Sequence, residues 1–215
     1  MEDLLKTWQP QLQAIAASHA GDDGAHDANH LQRVWRTARE LLAQHAEADA
    51  LVVLAACFLH DLVNLPKDHP QRAQASRLAA AAAKEELVRI GFPPEKLPAV
   101  MHAVEAHSFS AGIAPQSIEA KIVQDADRLD ALGAVGLARL FYTAGKMDSA
   151  LAHGGDPLAQ ARPLDDRTYA LDHIAAKLEK LPATMQTAAA RELGEQRLEQ
   201  VRAFRRAFAA EWIAE

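Results

Sequence analysis

The ten residues from Ala50 to Leu59 carry no charged or hydrogen-bonding polar side chain, and they run directly into His60 and Asp61. A stretch that apolar cannot lie on a surface, and it is far too short to span a bilayer. It therefore reads as a helix over about 48–62 that is buried on most of its sides. The His-Asp pair at its end sets a chemical demand, because a bare carboxylate in such surroundings costs several kcal/mol or takes up a proton.

The rest of the chain repeats with helical period, and alanine, the strongest helix former, is its filler. Further helices are expected over about 28–46, 71–90, 95–107, 116–129, 132–145, 167–180 and 183–213. Leu31, Val34, Ala38, Leu41 and Leu42 form one apolar face, with Asp27 and Asn29 available as N-caps after the turn 20–24. Pro66 and Pro70 enforce a short loop after His60-Asp61, and Gly91 followed by Phe92-Pro93-Pro94 stops the helix over 71–90. The last helix carries Leu198, Val201, Phe204, Phe208 and Trp212 at spacings of three and four. No segment alternates with the period of a strand. The expectation is an all-α fold, a single domain over 1–215, with a core over about 20–145 and a helical extension over about 146–215. The longest irregular stretch, between Gly145 and Arg167, contains Gly154-Gly155-Asp156-Pro157 and Pro163, and long loops of this kind often serve as lids or binding loops.

Composition narrows the partners. A net charge of −6 offers no general attraction for a nucleic-acid polymer or an anionic membrane, so a phosphate-bearing ligand must be held by a local site. The single cysteine, Cys57, has no internal disulfide partner and sits between Ala56 and Phe58 as a small buried hydrophobe. The start Met-Glu-Asp-Leu-Leu-Lys lacks the basic and apolar regions of a signal peptide. A reducing cytoplasm is the expected location.

A second His-Asp pair, His26-Asp27, falls where a helix begins, so Asp27 reads as a cap rather than a ligand. His60 taken alone fits a core histidine bonded to a carbonyl better than it fits a metal ligand. The balance changes when other residues are counted. His30 shares a helical face with Val34, and Asp127 follows the apolar pair Ile122-Val123, so both point toward the core. Imidazoles and carboxylates gathered at helix-core positions are the donor set of a divalent metal.

Four motifs in order, His-Asp-Ala-Asn-His-Leu-Gln-Arg-Val (26–34), Leu-His-Asp-Leu-Val (59–63), Ala-His-Ser-Phe-Ser (106–110) and Lys-Ile-Val-Gln-Asp-Ala-Asp-Arg-Leu-Asp-Ala-Leu-Gly-Ala-Val-Gly (121–136), resemble the HD-domain superfamily of metal-dependent phosphohydrolases. Within it, the likeness is to the stand-alone bacterial YedJ and YpgQ type, and it continues through 162–173 and 180–187. The resemblance implies an HD-domain helical bundle in which His30, His60, Asp61 and Asp127 hold one divalent ion, with manganese favoured and magnesium, iron, cobalt or nickel admissible. Asp127 is preferred to Asp125 because Arg128 follows it in the family's order of aspartate then cation. The two aspartates project about 200° apart on a helix, so only one can face the ion. Lys67 and Arg128 are the expected phosphate-binding cations, and Asp130, on the face of Asp127, could orient a ligand or substrate. Asp61 and His107 are the catalytic candidates, His107 as a hydrogen-bond or proton donor to the leaving oxygen.

The implied reaction is hydrolysis of nucleoside phosphates, at a phosphoanhydride linkage. Phe109, Phe141, Tyr142 and Tyr169 are the aromatics that could stack on a base. Some HD nucleotidases carry a glutamate base three residues after the paired aspartate; here Asn64 stands there and cannot take a proton, which disfavours that branch. His102 and His107 lie about 140° apart on one helix, so they cannot both face one site, and a single metal follows. Two other classes remain open from sequence: a metal- and nucleotide-binding sensor without turnover, and a di-iron oxygenase, which needs a second set of ligands.

Overall fold

The computed structural model describes residues 2–19, 27–63, 65, 69–108 and 111–212. The turn over 20–24 and the expectations placed on Asn64, Pro66, Lys67 and Phe109 lie outside the described residues. Among those described, nine α-helices follow one another: α1 (Glu2–Ser18), α2 (Ala28–Leu42), α3 (Ala50–Leu59), α4 (Ala75–Arg89), α5 (Leu97–His107), α6 (Ile118–Asp130), α7 (Gly133–Lys146), α8 (Asp172–Ala176) and α9 (Ala188–Trp212). The only extended pairing described is one isolated parallel bridge between Ala150 and Tyr169. The fold is all-α, as the periodicity predicts.

The chain forms two compact units, 1–127 and 128–215. Within the second unit, α7 packs against α9.

In the first unit α3 is the core element. Every one of its residues is buried, and α1, α2, α4 and α5 pack around it. Full burial of side chains such as Val52, Leu54 and Phe58 contributes about 1.5–3 kcal/mol each. The start of α3 is fixed by Asp49, whose Oδ1 accepts from the amides of Leu51 and Val52 at 3.0 and 3.3 Å and whose other oxygen pairs with Lys96. Asp27 caps α2 in the same way, accepting from the His30 amide at 2.9 Å. At the end of α4, Gly91 adopts φ of +72°, which lets the Phe92 amide return to the Leu87 carbonyl at 2.9 Å. The periodicity does not announce α1, which carries Pro10 internally and buries only Leu12, Ile15 and Ala16. Its remaining anchor is Trp8, edge-on to Phe92 with ring centroids 5.1 Å apart.

In the second unit Phe141 of α7 meets Phe204 and Phe208 of α9, and Phe208 stacks on Trp212. Two sequence expectations need correction here. The helix expected over 167–180 is reduced to α8 and short 3-10 turns, because this backbone is committed elsewhere. Ala150 donates to Thr168 and accepts from Ala170, and the Asp172 carboxylate takes two bonds from Arg162, at 2.6 and 2.8 Å, and one from the Asp165 amide. The last helix begins at Ala188 rather than 183, because Pro182–Thr184 forms a 3-10 turn and Met185 is extended. The irregular stretch after α7 is bonded to itself and to α9, with the Trp212 indole donating to the His153 carbonyl at 3.1 Å.

Candidate metal centre

Five side chains from separate parts of the first unit converge. Asp27, by capping α2, sets the first turn from which His30 projects, and His30 is fully buried. His60 and Asp61 follow α3 immediately, where the apolar helix ends. His107 is the last residue of α5, and Asp127 lies on α6.

The imidazoles are held from behind. His60 Nδ1 lies 2.9 Å from the Cys57 carbonyl and His107 Nδ1 lies 2.6 Å from the Val104 carbonyl. A carbonyl only accepts, so each ring carries its proton on Nδ1 and presents the Nε2 lone pair to the cluster. For His60 the carbonyl bond of a core histidine is made on Nδ1, and Nε2 is left facing the cluster.

Facing atoms are evenly spaced. Asp61 Oδ2 lies 3.7 Å from His30 Nε2 and 3.6 Å from His60 Nε2, while Asp61 Oδ1 lies 3.7 Å from His107 Nε2. Asp127 Oδ1 lies 3.5 Å from His30 Nε2 and 3.8 Å from His60 Nε2. Most of these separations are too long for hydrogen bonds. Donors about 2.1 Å from one six-coordinate ion are about 3.0 Å apart when adjacent and about 4.2 Å apart when opposite. The observed separations fall between those limits. The buried Nε2 of His60 also has no hydrogen-bond partner, which a neutral imidazole tolerates when that atom is a ligand. Two triads, His30, His60 and Asp61 and then His60, His107 and Asp127, each keep their donor atoms within 4.8 Å. The cluster fits a divalent cation.

Electrostatics agree with this. Burial raises the Asp127 carboxyl, but the attraction of His60, His30 and His107 outweighs it and holds the group below its ordinary 3.8. His107 is held below the ordinary 6.5, first by burial and then by His60. The Asp127 carboxylate kept ionised beside a His107 imidazole kept neutral matches the protonation states that metal binding requires. Cys57 is buried, and burial pushes its thiol far up, which makes it inert packing as expected.

The structure brings His30, His60, Asp61 and Asp127 together, and His107 with them. His107, expected from the sequence as a catalytic candidate beside Asp61, lies 3.7 Å from Asp61 Oδ1; the apolar pattern of α5 alone shows only that it points inward. His102 is elsewhere, accepting from the Gln116 amide at 2.9 Å on the surface. Asp125 is fully buried and absent from both triads. Arg128 donates to the carbonyl and hydroxyl of Thr184 at 2.8 and 3.0 Å, and Asp130 pairs with Arg139 at 2.8 Å, all within the second unit. Lys67 lies outside the described residues.

Comparison with known proteins gives a consistent result. Residues 27–132 match the family described as HD domain. The chain is 34% identical over 199 residues to the uncharacterized protein YpgQ of Bacillus subtilis, across 91% of this chain and 85% of that protein. The crystal structure of B. subtilis YpgQ in complex with ADP superposes with a TM-score of 0.71 at 32% identity, over 93% of this chain and 97% of that one. That of an HD-superfamily hydrolase from Bacillus thuringiensis superposes with a TM-score of 0.72 at 28% identity, over 100% and 99% of the two chains.

Proposed function

The chain belongs to the HD-domain family of metal-dependent phosphohydrolases, and from that premise we propose that it hydrolyses nucleoside phosphates at a phosphoanhydride bond. The observation that carries this reading is the convergence of Asp61 and Asp127 with three imidazoles whose Nε2 atoms face the cluster, two of them, His60 and His107, with the proton fixed on Nδ1 by a carbonyl. The ADP bound to the B. subtilis relative supports a nucleotide as the substrate class.

His30, His60, Asp61 and Asp127 are assigned to one divalent ion, with manganese favoured. When bound, such an ion neutralises charge on a phosphoryl group and acidifies a water molecule. The work of the chain's own residues is to hold the two reactants and move one proton. His107 is assigned the opposite first role from the donor expected from sequence. Its proton sits on Nδ1 against Val104, so Nε2 can only accept, and its lowered pKa keeps it neutral. His107 Nε2 takes the proton as the water oxygen bonds to phosphorus and the bridging P–O bond breaks, then returns it to the departing phosphate oxygen. Asp61 Oδ1, facing His107, steadies the imidazolium in between. Lys67 is assigned to the phosphate chain, whereas Arg128, which donates to Thr184, and Asp130, which pairs with Arg139, are given no contact with the phosphates or with a ligand. This assignment does not need the glutamate base that Asn64 replaces.

The test is a panel of nucleoside triphosphates and diphosphates incubated with manganese or magnesium, with orthophosphate and pyrophosphate measured separately. Turnover that releases pyrophosphate from triphosphates and is lost in Asp61→Ala, at retained helical content, is the expected result. Tight nucleotide binding without any hydrolysis overturns it in favour of a sensor.

A further inference from the structure

The α5 helix ends at His107, so the carbonyl of Ala106 is among the last four that no helical amide can reach. Ala106 is fully buried, which removes water as a partner. The carbonyl is instead met by Gln124 of α6, whose side-chain Nε2 donates to it at 2.6 Å from a position only 2% exposed. Gln124 precedes Asp127 by three residues and shares its helical face. One buried amide therefore joins the helix end carrying His107 to the helix carrying Asp127. The neighbouring carbonyl, that of Val104, holds His107 Nδ1. The direction of the His107 lone pair is thus set by a backbone segment to which Gln124 donates a hydrogen bond from the neighbouring helix. An apolar side chain could fill the same space, but it would leave the carbonyl unsatisfied and the helix end free to shift.

We infer that Gln124 is a positioning residue for the reaction, acting through the Ala106 carbonyl to aim His107 at the cluster. The inference rests on the proton-accepting role proposed for His107. It separates Gln124 from the four metal-holding residues, because the bond it makes to Ala106 ends on the helix terminus that carries His107.

The experiment uses the full-length, manganese-loaded chain as wild type, Gln124→Met, Gln124→Leu, His107→Ala and the two doubles with His107→Ala. Both Gln124 variants stay close to the volume of glutamine and remove the donor. Each lowers kcat by about 10–100-fold, the range seen when the support of a reacting group is removed. KM stays within about twofold and manganese affinity within about threefold of wild type. In the His107→Ala background the same substitutions change kcat by less than about twofold, since the residue they act through is gone. Amide hydrogen exchange over 104–108 accelerates in both single variants. Equal losses in both backgrounds, a loss carried by KM or by manganese affinity, or unaltered exchange over 104–108 overturns the inference. Should Gln124→Met not fold, Gln124→Leu decides the same question. A wild-type chain that hydrolyses no phosphoanhydride refutes the proposed function instead, and an active wild type with unimpaired Gln124 variants refutes this inference alone.

Discussion

Adding a divalent ion to the metal-free chain should raise its melting temperature by an amount that identifies the ligands. Five facing contacts of 3.5–3.8 Å between imidazole nitrogens and carboxylate oxygens exist only in the folded first unit, since they join α2, the end of α3, the end of α5 and α6. The unfolded chain has no such site, so binding energy becomes folding energy. At manganese 100-fold above its dissociation constant the gain is about 2.7 kcal/mol. For a chain of this size each kcal/mol moves the midpoint by about 2–4 °C, so the expected rise is about 5–11 °C. Asp61→Asn removes the charge whose Oδ2 faces both His30 and His60 while leaving the shape intact. If it weakens binding 100-fold, the same manganese concentration then equals the dissociation constant and stabilises by only about 0.4 kcal/mol, a shift of about 1–2 °C. His107→Ala, which removes a proton acceptor rather than a ligand on this reading, keeps most of the wild-type shift while losing turnover. Thermal melts with chelator and with stepwise manganese measure all three. An equal shift in wild type and Asp61→Asn refutes the ligand assignment, and loss of the shift in His107→Ala makes that residue a fifth ligand.

Acid should destabilise the metal-free chain in two windows. His107 is less readily protonated when folded than when unfolded, so the stability it contributes is complete above about pH 6.5 and is lost as pH falls toward its depressed folded value; Asp127, also depressed, adds a loss that begins below about 3.8. Chelator-treated melts from pH 8 to 2.5 check both windows, and His107→Asn should flatten the slope just below 6.5 while leaving the one below 3.8. Gly136→Ala should destabilise by about 3 kcal/mol, because the added carbon would sit 2.2 Å from the Ala131 carbonyl oxygen, a backbone atom that cannot swing aside; urea unfolding measures the loss. Arg162→Met should cost about 3 kcal/mol in the same assay, since it leaves the 1%-exposed Asp172 carboxylate with the Asp165 amide as its one remaining partner among the bonds described above.

What was legible in the sequence is what depends on residues three or four apart. The apolar run of α3 requires burial whatever surrounds it, Asp27 and Asp49 cap helices through their own neighbours, and Gly91 ends α4 through its own φ. The inward faces of His30 and Asp127 follow from the same period, and the resemblance to HD-domain proteins placed His60 and Asp61 beside them. The tertiary structure decided which groups meet across long sequence separations. The bond from Gln124 to Ala106 spans 18 residues, that from Arg162 to Asp172 spans 10, and both override local preference. The first turns an amide into a helix cap that no capping pattern describes, and the second holds as turns a segment with helical periodicity. The lone pair of His107 belongs to the same class, because a ring's direction depends on the carbonyl behind it and the charges in front, and periodicity reports only the side of the helix from which it departs.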